Sequence, residues 1–157
     1  MSGERNYQIR RANVDDWDKV TRLAWVTFLE FEAEDYGEEG IENFRDFLVD
    51  EKLNRMFLLG EYVVFVAEDR DGILGMISLR NGNHLSLLFV DSKHHRQGIG
   101  GALLSEMEHY LKEEDRKSIT VDAAPYALDF YLRRGYVPEG PERTTAGIRY
   151  TPMKKKL

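Results

Sequence analysis

A glycine-rich turn between an apolar run and an amphipathic run constrains this chain more than any other feature. His84 to Val90 reads as a strand, and Ile99 to Glu114 reads as a helix with Leu103, Met107, Tyr110 and Leu111 on one core face. Between them the chain runs Asp91-Ser92-Lys93-His94-His95-Arg96-Gln97-Gly98-Ile99-Gly100-Gly101-Ala102. A helix that opens on such a turn exposes its first N–H groups without partners, and its dipole adds partial positive charge there. Lacking Cβ atoms, Gly98, Gly100 and Gly101 let an anion approach those amides. The turn predicts a phosphate or pyrophosphate site, and with it a nucleotide-like cofactor.

Spacing narrows the choice of cofactor. A dinucleotide fingerprint needs a third glycine where Leu103 stands, and an acidic residue closing the next strand. A P-loop needs four residues between its glycines and then Gly-Lys-Ser/Thr, which nothing here matches. The segment instead resembles the Arg/Gln-x-x-Gly-x-Gly/Ala turn of the GNAT-superfamily acetyltransferases, with His95 in the first position. A second stretch, Ser118 to Tyr136, is similar to the closing strand–helix–strand of the same superfamily. Its Ala-x-x-x-Tyr-x-x-x-Gly-Phe/Tyr pattern falls on Ala127, Tyr131, Gly135 and Tyr136. Pro125-Tyr126-Ala127 and Gly147 to Met153 resemble the branch of small bacterial-type members. Ala124 stands where the family often carries Asn, so that side-chain contact is not carried over. The likeness covers essentially the whole chain, most firmly Tyr62 to Met153.

The resemblance implies acetyl-CoA as co-substrate, its pyrophosphate held by His95, Arg96, Gln97, Gly98, Ile99, Gly100, Gly101 and Ala102. It places the pantetheine arm along Leu88, Phe89 and Val90, whose backbone groups would pair with the arm's amides like an added strand. Tyr131 takes the family's general-acid position, because a phenol with a reference pKa of about 10 is protonated at neutral pH and can give its proton to a thiolate. Many members carry a carboxylate where His84 stands. An imidazole there titrates in the physiological range and can accept a proton from an ammonium. Ser86, in register with His84, lines the same face.

Composition agrees with a single domain spanning residues 1–157. The chain has 157 residues, 42% apolar and 32% charged, enough to bury a core and too apolar for a disordered segment. There is no cysteine for a disulfide or a thiolate nucleophile, which fits direct attack by the amine in a ternary complex. The net charge of −6 argues against nucleic acid as a main partner. No run approaches the roughly 20 apolar residues of a membrane span, and Met1 to Tyr7 lacks the apolar core of a signal peptide. A cytoplasmic enzyme is expected. No second cluster joins His94 and His95 at zinc-like spacing, so no metal is expected. Lys154-Lys155-Lys156 reads as a frayed, solvated tail.

The element order reads β-α-α-β-β-β-α-β-α-β-β. Tyr7 to Arg11 is a strand, and Asp15 or Asp16 caps a helix through Trp17, Val20, Ala24, Phe28 and Phe31. Tyr36 to Gly40 breaks it, and a second helical piece holds Ile41, Phe44, Phe47 and Leu48. Tyr62 to Glu68, Ile73 to Arg80 and His84 to Val90 form hairpins through Asp69–Gly72 and Asn81-Gly82. After the glycine-turn helix come strand Ser118 to Asp122, helix Tyr126 to Arg134, a short strand at Tyr136-Val137, a Pro/Gly loop, and strand Ile148 to Met153. The expected fold is α/β (α+β), a GNAT-like mixed and mostly antiparallel sheet of about seven strands with helices on both faces.

These features point to an acetyl-CoA-dependent N-acetyltransferase acting on a primary amine of a small molecule, peptide or lysine. The acidic stretch from Glu30 to Glu42 reads either as a solvated, charge-rich helix end, the commoner meaning of such a run, or as an attractor for a cationic amine acceptor. A non-catalytic acyl-CoA-binding module of the same fold is the alternative. The acceptor, the length of the acyl group, the general base and the oligomeric state, a homodimer among the options, stay open.

Overall fold

The apolar run Val63–Asp69 shows how the sheet is filled. Val63, Phe65 and Ala67 enter one buried cluster, while Tyr62, Val64 and Val66 enter another. Two-residue periodicity thus drives a hydrophobic side chain into each face, the mark of a strand covered on both sides. The computed structural model describes residues 6–95 and 97–157. In chain order the elements are β1 (Gln8–Arg11), α1 (Trp17–Phe31), α2 (Glu38–Leu48), α3 (Glu51–Leu58), β2 (Val63–Asp69), β3 (Gly72–Arg80) and β4 (His84–Val90). They continue with α4 (Ile99–Glu113), β5 (Ser118–Ala123), α5 (Leu128–Leu132), β6 (Val137–Pro138), β7 (Arg143–Thr145) and β8 (Ile148–Lys156).

Among the described residues the sheet has eight strands in the order β1-β2-β3-β4-β5-β8-β6, with β7 paired to β8. Only β4 and β5 run parallel among the described residues, and every other pair is antiparallel. One core packs the sheet against α4 and the segment around α5, through Leu103, Met107, Leu111 and Tyr131. The other packs it against α1, α2 and α3, through Trp17, Phe28, Phe44 and Phe57. Helices therefore cover both faces, as expected. The additional strand is β7, which lies in the stretch read as a Pro/Gly loop.

Four local readings change. Asn13, not Asp15 or Asp16, caps the entry to α1: its side chain accepts from the Asp15 N–H, and Asp16 accepts from the Asn13 N–H at 2.8 Å. Helix α2 begins at Glu38, so the break before it is confined to a 3-10 turn at Ala33–Asp35 and its two following residues. Helix α3 is an additional element, short but capped by Asp50 and pinned by Leu53 and Phe57. Lys154 to Lys156 form no frayed tail. They continue β8 opposite Thr120, Ile119 and Ser118, and Lys155 Nζ reaches the Glu108 carboxylate at 3.1 and 3.2 Å. Backbone pairing with β5 and that ion pair outweigh the solvation of three adjacent charges.

Two irregularities shape the middle of the sheet. Leu79 pairs with Leu85 but Ser78 pairs with Leu87, so Ser86 is an extra residue, a β-bulge. The bulge reverses the alternation: Leu85 belongs to the α4-side core, whereas Leu87 and Phe89 pack on the α1-side core. At the same place β4 leaves β5. Their pairing is confined to His84 with Thr120 and Leu85 with Val121. From Ser86 to Val90 the β5-facing edge of β4 has no strand beside it among the described residues.

Candidate active site

Where β4 and β5 part, two adjoining cavities open. The first, of about 710 Å³, is bounded by Leu88, Phe89 and Val90 of β4, the start of α4, and residues from Tyr126 to Arg134. Both this volume and that of its neighbour fall in the ordinary range for small-molecule sites. Gly98 adopts φ +78° at the entry to α4, a backbone conformation that favours glycine, and it places no side chain over the helix end. Ala102 donates its N–H to the Gly98 carbonyl at 3.0 Å, so the N–H groups of Ile99, Gly100 and Gly101 precede the helical ladder. Arg133 and Arg134 line the same cavity. The Arg134 guanidinium lies 3.8 Å from the Phe130 ring centre and donates to the Phe130 carbonyl at 3.0 Å. Amides ahead of the helical ladder, a helix dipole and two cations make this wall suited to a pyrophosphate.

The second cavity, of about 500 Å³, lies on the α1–α2 side. Its walls mix aromatic rings (Tyr36, Phe44, Phe47, Tyr150) with polar groups (Asn43, Arg80, His84, Ser86, Asp122). The turn between β7 and β8 roofs it. Gly37 donates to the Gly147 carbonyl at 3.2 Å, Asn43 donates to the Ala146 carbonyl at 3.3 Å, and Arg149 pairs with Asp35 at 3.6 Å. Glu32, Leu88, Phe89, Ala127 and Tyr131 border both cavities and form the throat between them. Tyr131 is only 4% exposed, and burial first, then the charge of Glu32, pushes its phenol well above the usual range. Glu32 caps the end of α1. Loss of water, reinforced by the negative charge of Asp35, pushes its carboxyl from 4.5 up to about 7.

The family described as "Acetyltransferase (GNAT) domain" matches residues 32–157. The chain belongs to the GNAT acetyltransferase family. Among solved structures, a GCN5-related N-acetyltransferase from Rhodopseudomonas palustris superposes with TM-score 0.84 at 23% identity, covering 100% of this chain and 99% of that one. PaiA N-acetyltransferase from Thermoplasma acidophilum, solved with coenzyme A, gives 0.81 at 22% identity over 96% of this chain and 99% of its own. An aminoglycoside 6′-N-acetyltransferase complexed with coenzyme A gives 0.64 at 18%, covering 95% and 96% of the two chains. No curated protein matches the sequence significantly.

Most of the residues expected to hold the donor converge in this GNAT member. Leu88, Phe89, Val90, His95, Gly98, Ile99, Gly100 and Gly101 all border the first cavity. Gln97 is exposed and away from it, the Ala102 N–H is spent inside the helix, and Arg96 lies outside the described residues. The Val90 carbonyl is not free: it accepts from His95 Nε2 at 2.7 Å, which fixes the ring proton on that nitrogen. The His95 ring also packs 4.7 Å from Phe31, which in turn stacks on Tyr126 at 5.4 Å.

On the other side, His84 and Ser86 both face the second cavity. Both nitrogens of His84 are engaged. Nδ1 lies 2.8 Å from Thr120 Oγ1 and Nε2 lies 3.5 Å from Asp122. That contact with His84 holds the Asp122 carboxyl below its usual range against the opposing effect of burial. The base role expected of His84 therefore meets a ring already committed to two partners. Ser86 accepts from the Tyr62 hydroxyl at 2.9 Å, which ties the bulge to the residue just ahead of β2. Sequence reading did not single out Arg133, Arg134 or Asp122. The arginine pair ahead of Gly135 was the available signal for the first two. Glu32 stood there only as one acid in a run of acids.

Proposed function

We propose that this GNAT member transfers an acetyl group from acetyl-CoA to a primary amine by direct attack in a ternary complex. The observation that carries this reading is the shared throat. A groove suited to a pyrophosphate and a separate mixed aromatic–polar cavity meet at one place, with Tyr131 between them. The donor would lie along the unpaired edge of β4 with its phosphates at Ile99, Gly100 and Gly101, and its thioester would reach the throat. Leu88 would pair with the arm there, and His95 would release the Val90 carbonyl to do the same. Tyr131 delivers its proton to the departing thiolate. The amine enters through the second cavity past His84 and Asp122. Acidic residues from Glu30 to Glu42 attract it while it is still a cation. Coenzyme A in the PaiA and aminoglycoside acetyltransferase structures supports the choice of donor.

Purified protein incubated with acetyl-CoA and a panel of primary amines (monoamines, diamines, amino-acid amides and lysine peptides) tests this with a thiol-detecting reagent. Amine-dependent thiol release, together with thermal stabilisation by acetyl-CoA alone, is the expected result. Stabilisation without thiol release from any amine would overturn the catalytic reading in favour of a CoA-binding module. No stabilisation would overturn both.

A further inference from the structure

We infer that Glu32, at the throat where the two cavities meet, takes the proton that the acceptor amine must lose before it attacks. The inference rests on the acetyl-transfer reading above and supplies the base that reading lacks. Among the described residues, Glu32 is the one carboxylate that borders both the donor groove and the acceptor cavity. Asp129 borders only the first, and Asp122 only the second. Its partner across the throat is Tyr131, so acid and base flank the point where the thioester and the amine would meet.

The neighbours leave this carboxylate available. No described side chain donates a hydrogen bond to it, whereas the Asp122 carboxylate faces His84 and Asp35 is paired with Arg149. The titratable groups facing Glu32 are Asp35 and Tyr36 from the link after α1, and Tyr126 and Tyr131 from the segment after β5. Strand β4 brings only Leu88 and Phe89 to the throat, and α1 brings Thr27 and Phe31 to the same cavity wall. Arg149, the nearby cation on β8, is turned to Asp35 and Glu142. Poor hydration and a like charge thus act on Glu32, with no cation among the described residues to offset them. A carboxyl raised to about 7 is ionised in a large fraction at neutral pH, yet basic enough to take a proton efficiently.

The step balances as follows. Glu32 accepts one proton from the ammonium, and the neutral amine forms the C–N bond to the acetyl carbon as the C–S bond breaks. Tyr131 gives its proton to the thiolate and regains one from the nitrogen, which becomes the amide. Glu32 then releases its proton to solvent through the cavity mouth.

The test compares Glu32→Gln with wild type, using acetyl-CoA and the amine of the panel that turns over fastest. The variant should lower kcat by about 10²- to 10⁴-fold, remove the acidic limb near pH 7 from the kcat/KM profile, and bind acetyl-CoA as wild type does. Two readouts are independent of turnover. In protein carrying carbon-13 glutamate, one carboxyl should titrate near pH 7 and vanish in the variant. A raised carboxyl destabilises the fold as pH rises from 4.5 towards 7, so the variant's Tm advantage should grow from pH 5 to pH 8. An effect confined to the acceptor KM would overturn the inference, because Glu32 would then only attract the cation. So would an acidic limb that survives Glu32→Gln and disappears in His84→Gln. Wild-type protein that turns over no amine would overturn the transfer reading itself, and this inference with it. Normal turnover by Glu32→Gln would overturn the inference alone.

Discussion

Tyr131 sits buried in the throat between the two cavities, where its phenol is kept neutral. Burial and the facing Glu32 both disfavour the phenolate, and Arg134 only partly offsets them. Its ring packs edge-on against Phe130 and Tyr136 at centroid distances of 5.2 and 5.3 Å, so removing the hydroxyl leaves the packing intact. The Tyr131→Phe variant should therefore fold normally and bind acetyl-CoA normally, while kcat falls by about 10²- to 10⁴-fold. Steady-state kinetics beside calorimetric binding check this. Unchanged kcat would make Tyr131 a packing residue. The same residue shows what a sequence can reveal at this scale. Its position was legible because the Ala-x-x-x-Tyr-x-x-x-Gly spacing is local. Glu32 was not, because its raised pKa comes from desolvation by α1, β4 and the segment after β5, which meet only in the folded chain.

Elements with a clear period were legible and those held by distant contacts were not. Strand β4 was readable from an apolar run, and α4 from its glycine turn and 3.6-residue stripe. Helix α3 is eight residues long, too short for its period to stand out, and β7 exists only because β8 lies beside it. Two glycines test how elements place the site. At Gly98 the positive φ forbids a β-branched residue at a cost of about 1–2 kcal/mol, and a side chain there would overhang the helix end. Gly98→Val should abolish most thermal stabilisation by acetyl-CoA, read as a loss of the ligand-induced Tm shift. At Gly40 an added Cβ would lie 2.7 Å from the Gly147 carbonyl oxygen, backbone against backbone. Gly40→Ala must push α2 away from the β7–β8 turn that roofs the second cavity. If the amine enters through that cavity, as proposed, the acceptor KM should rise several-fold, at a stability cost of about 1–3 kcal/mol and with acetyl-CoA affinity unchanged. Chemical denaturation and kinetics together separate the two effects.

At the scale of the whole molecule, the far edge of the sheet is fastened by charge. Arg10 of β1 binds Glu68 of β2 through Nε at 2.9 Å and Asp16 ahead of α1 through Nη1 at 2.8 Å. The hydrogen bonds to Arg10 are the main reason both carboxyls lie below their ordinary values of 3.8 and 4.5. Their contribution to stability is complete above those values and is lost as pH falls through the lower folded ones. Arg10→Ala should cost about 2 kcal/mol at pH 7 and less at pH 2 to 3, measured by thermal melts across that range. The middle of the sheet is joined differently. Strands β1 to β4 form one plate and β5, β8, β6 and β7 another, joined at a seam of two residue pairs and strapped by α4, which touches both. In mechanical terms this is a wedge joined along a narrow seam. If the donor lies in its mouth along β4, as proposed, it would act as a strut between the plates as well as filling a groove.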